Sequence, residues 1–207
     1  MVPLPKPFLS RLLEVREVLM FSFDFELLDQ PLEPAAYTTP SPWLPAFTLP
    51  GVSAEVIGRD AMGGVYVAYQ STPSGGVCCL HLDTRGHVVL LGDSLQEAVA
   101  LLVALPYWHE LLLESDSVGL EAMREHAEAL ERDVCDDLPA LPEARDYLRS
   151  FLSLPELIDP VARLCELTAE ADAVTVLSPH GWRYEAPVVR ARRASEPPPL
   201  AKTNAAG

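Results

Sequence analysis

His81, Asp83 and His87 form an HxDxxxH pattern, a short stretch that sets three possible metal ligands close together. Two imidazoles and a carboxylate suit a divalent transition ion, which would supply a Lewis acid or an activated water. A hairpin is expected here, so His81 and His87 fall on neighbouring strands with a turn between them. No further Cys or His cluster completes a ligand shell. The ordinary reading is that Asp83 and Gly86 build a type I turn or bulge while both histidines are strand residues. Cys78, drawn beside a histidine, would be a candidate nucleophile. It lies in the apolar run VCCLHL, however, where a thiol is a small buried hydrophobe. No catalytic, cofactor-binding or metal-binding residue is assigned on these grounds. A metal-dependent hydrolase using His81, Asp83 and His87 is the most distant of three functional readings.

The glycine-rich stretch GRDAMGG contains Gly58, Asp60, Gly63 and Gly64. It is not a phosphate loop, because no Lys-Ser/Thr follows and it joins two strands instead of opening a helix. Its glycines allow positive φ at a tight turn, and Asp60 is expected to cap that turn through its own side chain.

These residues need elements to hold them. Residues 54–57, 65–69, 77–82 and 87–91 are short runs rich in Val, Tyr, Ile and Leu with Gly-bearing separators, which predicts a four-strand antiparallel meander. VYVAY and VCCLHL are apolar at nearly every position and read as covered on both faces. Ser94 to Glu97 is a capping box that opens a helix, and Leu95, Ala98, Val99, Leu102 and Leu105 supply its sheet-covering face. Pro106 ends or kinks that helix. Residues 8–28 read as a helix with an uncertain end, and six prolines between 31 and 50 predict an extended connector. Further helices are expected over 117–134, over 143–152 and from the N-cap Asp159, which Pro160 follows at the first helical position. Residues 173–177 and 183–189 read as a strand pair, and 190–207 as a disordered tail. The fold class is therefore α+β, a mainly antiparallel sheet flanked by helices in one domain over residues 1–189. Its sheet core spans about 51–115, with a helical extension over 116–172.

Charge narrows the partners. The chain carries 30 acidic against 15 basic residues, a net charge of −15, which argues against nucleic acid and anionic membranes as partners. Residues 110–146 hold twelve acids and three bases, a net of −9. Glu121, Glu125, Glu128, Glu131 and Asp133 mark the polar side of the 117–134 helix, with Glu128 and Arg132 spaced for an i, i+4 pair. Trp182, in the turn PHGW, is the expected exposed aromatic anchor. The longest apolar stretch, 98–108, is too short to span a bilayer, and the N-terminal residues lack the regions of a signal peptide. Four cysteines without CxxC spacing fit a reduced, cytoplasmic protein.

The segments VIGRDAMGGVYVAYQ and CLHLDTRGHVVLLGDSLQEAVALLVALPYWHELL resemble the SUKH superfamily, which contains fungal cell-wall assembly regulators and bacterial toxin-immunity proteins. The likeness covers residues 51–115: the turn of Gly58, Asp60, Gly63 and Gly64 before an aromatic strand, a strand pair closing at Gly86, and a helix from a DSLxEA start. Residues 116–189 do not match the family pattern. The resemblance implies a non-enzymatic α+β binding module without cofactor or catalytic residues, often one that neutralises a toxin. The expected partner is a basic protein, met by the acidic helix face and Trp182. An intracellular adaptor or regulatory scaffold of the same fold is the alternative.

Overall fold

A computed structural model describes residues 4–37, 47–70, 76–114, 119–171, 174–178 and 181–187. The expected tail at 190–207 and Trp43 lie outside the described residues. The β-branched and aromatic runs form β2 (Ser53–Arg59), β3 (Val65–Gln70), β4 (Cys78–Leu82) and β5 (Val88–Gly92), each antiparallel to the next. A fifth strand, β1 (Glu26–Leu32), pairs antiparallel with β2, so the sheet order follows the chain. The fold is α+β, with seven helices among the described residues flanking this sheet.

The expectation of a helix to residue 28 and a structureless proline connector after it misses β1. The helical stretch breaks at Val15, between α1 (Lys6–Glu14) and α2 (Arg16–Phe23), and stops at Asp24, whose φ is +49°. Asp enters that left-handed region more readily than most residues. The Asp24 carbonyl accepts from the Tyr66 hydroxyl at 3.2 Å, and its carboxylate accepts from the Ala61 amide at 2.8 Å. Pro31 is tolerated because β1 is an edge strand with a bulge between Leu27 and Leu32. Gly58 sits opposite Leu27 where β1 crosses closely, and a Cβ there would lie 2.4 Å from the Phe25 ring.

Five of the six β3 residues are buried, so both faces of the middle strands are covered as expected. The helix α3 (Leu95–Ala104) packs on β4 and β5. Its capping box forms: Ser94 Oγ accepts from the Glu97 amide at 3.1 Å and Glu97 Oε2 from the Asp93 amide at 2.8 Å. After Pro106 come α4 (Trp108–Glu114), α5 (Leu120–Asp137), α6 (Leu141–Leu152) and α7 (Pro160–Glu170). The Asp159 carboxylate caps α7 by accepting from the Ala162 amide at 2.9 Å. α7 packs on β5, α6 bridges α3 to α1 and α2, and α5 packs on α4 and α7.

Arginines tie these helices together. Arg163 of α7 grips Glu97 at 2.7 Å and Asp93 at 2.7 Å, joining α7 to the start of α3. Arg145 of α6 donates Nε to the Val103 carbonyl at 2.8 Å and forks onto Glu131 of α5 at 2.7 and 3.0 Å. Arg124 of α5 bonds Asp159 and Glu121, and Arg59 forks onto Glu26 across β2 and β1. The planar guanidinium makes such paired bonds where a lysine could not.

Of the strand pair expected over 173–177 and 183–189, residues 173, 188 and 189 lie outside the described residues, and the described ones form single bridges. Leu177 pairs with Thr48 and with Arg183, and His87 pairs in parallel with Glu185 along the outer edge of β5. All four cysteines are free, and none of the helices described is long and apolar enough to cross a membrane.

The Arg145 fork holds the Glu131 carboxyl below its ordinary value, against the opposing effect of burial. Removing the guanidinium strands a half-buried carboxylate and a helix carbonyl, so Arg145→Ala should cost about 2 kcal/mol in urea unfolding at neutral pH. Arg16→Ala, which breaks an exposed pair with Asp29, should cost less than about 0.5 kcal/mol. A lowered folded pKa means the unfolded chain binds more protons, so the Glu131 contribution is complete above about pH 4.3 and fades as pH falls further. The gap between wild type and Arg145→Ala should therefore narrow on acidification.

Candidate functional site

Asp60 follows β2 directly and opens the turn into β3. Gly63, at φ +88°, closes the turn, and the Gly64 amide donates to Asp60 Oδ1 at 2.7 Å. The second carboxylate oxygen points inward: Asp60 Oδ2 lies 2.7 Å from His81 Nε2, with the two side chains 2% and 1% exposed. Strand alternation puts His81 there, because it pairs with Tyr66 on β3 while its neighbours Leu80 and Leu82 face the other side. His109, on the first turn of α4, brings its Nε2 to 3.7 Å from the same oxygen.

An aromatic row holds this cluster. Phe25 meets Tyr66 edge-on at 4.6 Å, Tyr66 meets His81 at 4.9 Å, and Trp108 meets His81 edge-on at 5.0 Å. Burial alone would raise the Asp60 carboxyl. The hydrogen bond and attraction of His81, the Gly64 amide and His109 outweigh burial and leave it below the usual carboxylate value. His109 is pushed down to about 3, first by burial and then by His81. A cavity of about 200 Å³ opens beside the three side chains, lined also by Asp24, Met62, Thr84, Arg85 and Leu113.

The HxDxxxH stretch does not converge as a trio. His87 Nδ1 pairs with Asp83 Oδ2 at 2.9 Å, and Asp83 Oδ1 accepts from the Arg85 and His87 amides, which is the turn-building role expected of it. His81 instead turns to Asp60 and His109. The aspartate turn and the histidine strand were each visible in sequence, but their contact was not, and His109 gave no signal inside the apolar run LPYWHELLL. Among the described residues no Ser, Thr or Cys side chain hydrogen-bonds to His81 or His109, whose nearest polar partner is Asp60. Burial pushes Cys79 up to about 12 and raises Cys78 as well, which keeps both as thiols.

The acidic helix divides. Glu121, Glu125, Glu128 and Asp133 are exposed on α5, but Glu131 is half-buried and committed to Arg145. Arg132 donates Nε to the Glu128 carbonyl at 3.2 Å and not to its carboxylate, so the i, i+4 charge pair does not form. Trp182 is 75% exposed on the 178–182 turn, where Ser178 N–H donates to its carbonyl at 2.8 Å. No described ion pair or hydrogen bond joins this turn to α5. Comparison with protein-family models, curated proteins and solved structures finds no match in any of the three.

A Cβ on Gly64 would fall 2.5 Å from both Asp60 Oδ2 and His81 Nε2, whereas one on Gly119 would meet nothing within 4 Å. Gly64→Ala should therefore cost about 2 kcal/mol in denaturant unfolding, and Gly119→Ala only a few tenths (~0.3 kcal/mol).

Proposed function

We propose that this protein is a non-enzymatic protein-binding module of the immunity type, which captures a basic toxin or effector and blocks it by occlusion. The observation that supports this reading is the division of charge. Of 15 basic residues 13 are arginines. Arg16, Arg59, Arg124, Arg145 and Arg163 are all drawn into ion pairs within the fold. Glu125, Glu128 and Asp133 are exposed on α5 with no ion pair among the described residues, in a segment of net charge −9. Such a surface attracts a cationic protein over several ångströms and orients its approach. Trp182 supplies the kind of exposed aromatic that anchors a partner once it has arrived. The resemblance of residues 51–115 to SUKH proteins agrees with this role.

The test is capture of the protein encoded beside this one, followed by association kinetics. Glu125→Lys with Glu128→Lys should slow association at least about tenfold at low salt and leave folding stability within about 0.5 kcal/mol of wild type. High salt should bring wild type down toward the double variant. Unchanged capture and unchanged association by the charge-reversed protein would remove α5 from the binding surface.

A further inference from the structure

We propose that Asp60, His81 and His109 form a site for one divalent transition-metal ion, with a coordination position left open toward the adjoining cavity. The first support is convergence. Both imidazoles present Nε2 to Asp60 Oδ2, at 2.7 and 3.7 Å, and the donor atoms of all three lie within 4.8 Å of one another. No other trio of His, Cys, Asp or Glu among the described residues does so. An ion bonded at about 2.05 Å to tetrahedral ligands sets its donors about 3.3 Å apart, which lies between the two contacts to Asp60. Opening of the 2.7 Å His81–Asp60 contact as the ion enters, together with movement of the partly exposed His109 ring, brings the set to ligating geometry.

The second support is anchoring. The ligands come from the β2–β3 turn, β4 and the start of α4, and Asp60 Oδ1 is held by the Gly64 amide, an outer contact that orients the carboxylate. The third is the space left for an ion. The side chain absent at Gly64 would have placed its Cβ 2.5 Å from both Asp60 Oδ2 and His81 Nε2. Asp24 and Glu110 line the same cavity and add negative charge beside a cation. Imidazole ligates a metal through an unprotonated ring nitrogen, so both rings would offer Nε2 free of its proton. The site shares no residue with the acidic surface, so its fate is independent of the partner-binding reading.

Cobalt(II) is the probe, titrated into the full chain after chelator treatment. The wild type should take up one ion per chain, show the visible absorption of low-coordinate cobalt, and unfold at a temperature that rises with free metal. Excess Zn²⁺ should erase the absorption by displacement. His109→Gln and Asp60→Asn should each weaken binding at least about tenfold. His87→Gln, which removes the ring beside Asp83, should bind as wild type does. Absence of stoichiometric uptake by the wild type, equal binding by His109→Gln, or loss of binding in His87→Gln overturns the site. The wild-type titration and the His87→Gln control decide the matter even if Asp60→Asn does not fold.

Discussion

The guanidinium fork is the interaction on which this architecture rests. Helices α3, α5, α6 and α7 present mixed faces to one another, and at each junction an arginine reaches a carboxylate or a carbonyl that would otherwise be stranded. Arg145 does both, serving Val103 on α3 and Glu131 on α5 from a position only 12% exposed. Arg163 fastens α7 to the capping residues of α3, so the box that starts one helix also docks another. A half-buried charge is tolerated only when it is paired and hydrogen-bonded. These pairs therefore specify which helix meets which, while apolar burial supplies most of the stabilisation.

That internal use of cations has an outward consequence. A chain with twice as many acids as bases, in which Arg59, Arg124, Arg145 and Arg163 are held in ion pairs between elements, leaves Glu125, Glu128 and Asp133 on the surface with no ion pair among the described residues. The acidic face of α5 is smaller than the helix pattern alone suggests, since Glu131 belongs to the interior. What remains is a surface of Glu121, Glu125, Glu128 and Asp133, interrupted by Arg132 and by the pair of Arg124 with Glu121. The acidic surface proposed for partner capture and the buried Asp60 cluster occupy different parts of the sequence and obey different physics: charge attraction at the first is long-range and screened by salt, at the second short-range and enclosed.

Features whose cause is local were legible in the sequence. The four strands from Ser53 to Gly92, the Ser94 box and the Asp159 cap with Pro160 each announce themselves within a few residues, and each is present. β1 was hidden because the helical period of residues 8–19 blurs into the alternation Phe21, Phe23, Phe25 while Phe21 and Phe23 still lie on α2, and because Pro31 reads as a breaker until the strand is known to be an edge. The site was half-legible for a different reason. Asp60 was recognisable as a turn residue and His81 as a strand residue, but sequence spacing grouped His81 with Asp83 and His87, its neighbours along the chain. Sheet pairing groups it instead with Tyr66, and through the Gly64 turn with Asp60, while Pro106 ends α3 and delivers His109 from a separate helix. Spacing along a strand cannot report a contact made across the sheet.

Partner capture by the α5 surface is the central claim, and a residue-by-residue footprint of the bound state tests it most directly. Isotope-labelled protein, observed by amide chemical-shift mapping while the captured basic partner is added, should shift at Glu121 to Glu128 and around Trp182, with the Asp60 turn and β4 unchanged. Shifts confined to Met62, Arg85 and the first turn of α4, with α5 silent, would contradict it and place recognition at the histidine cavity.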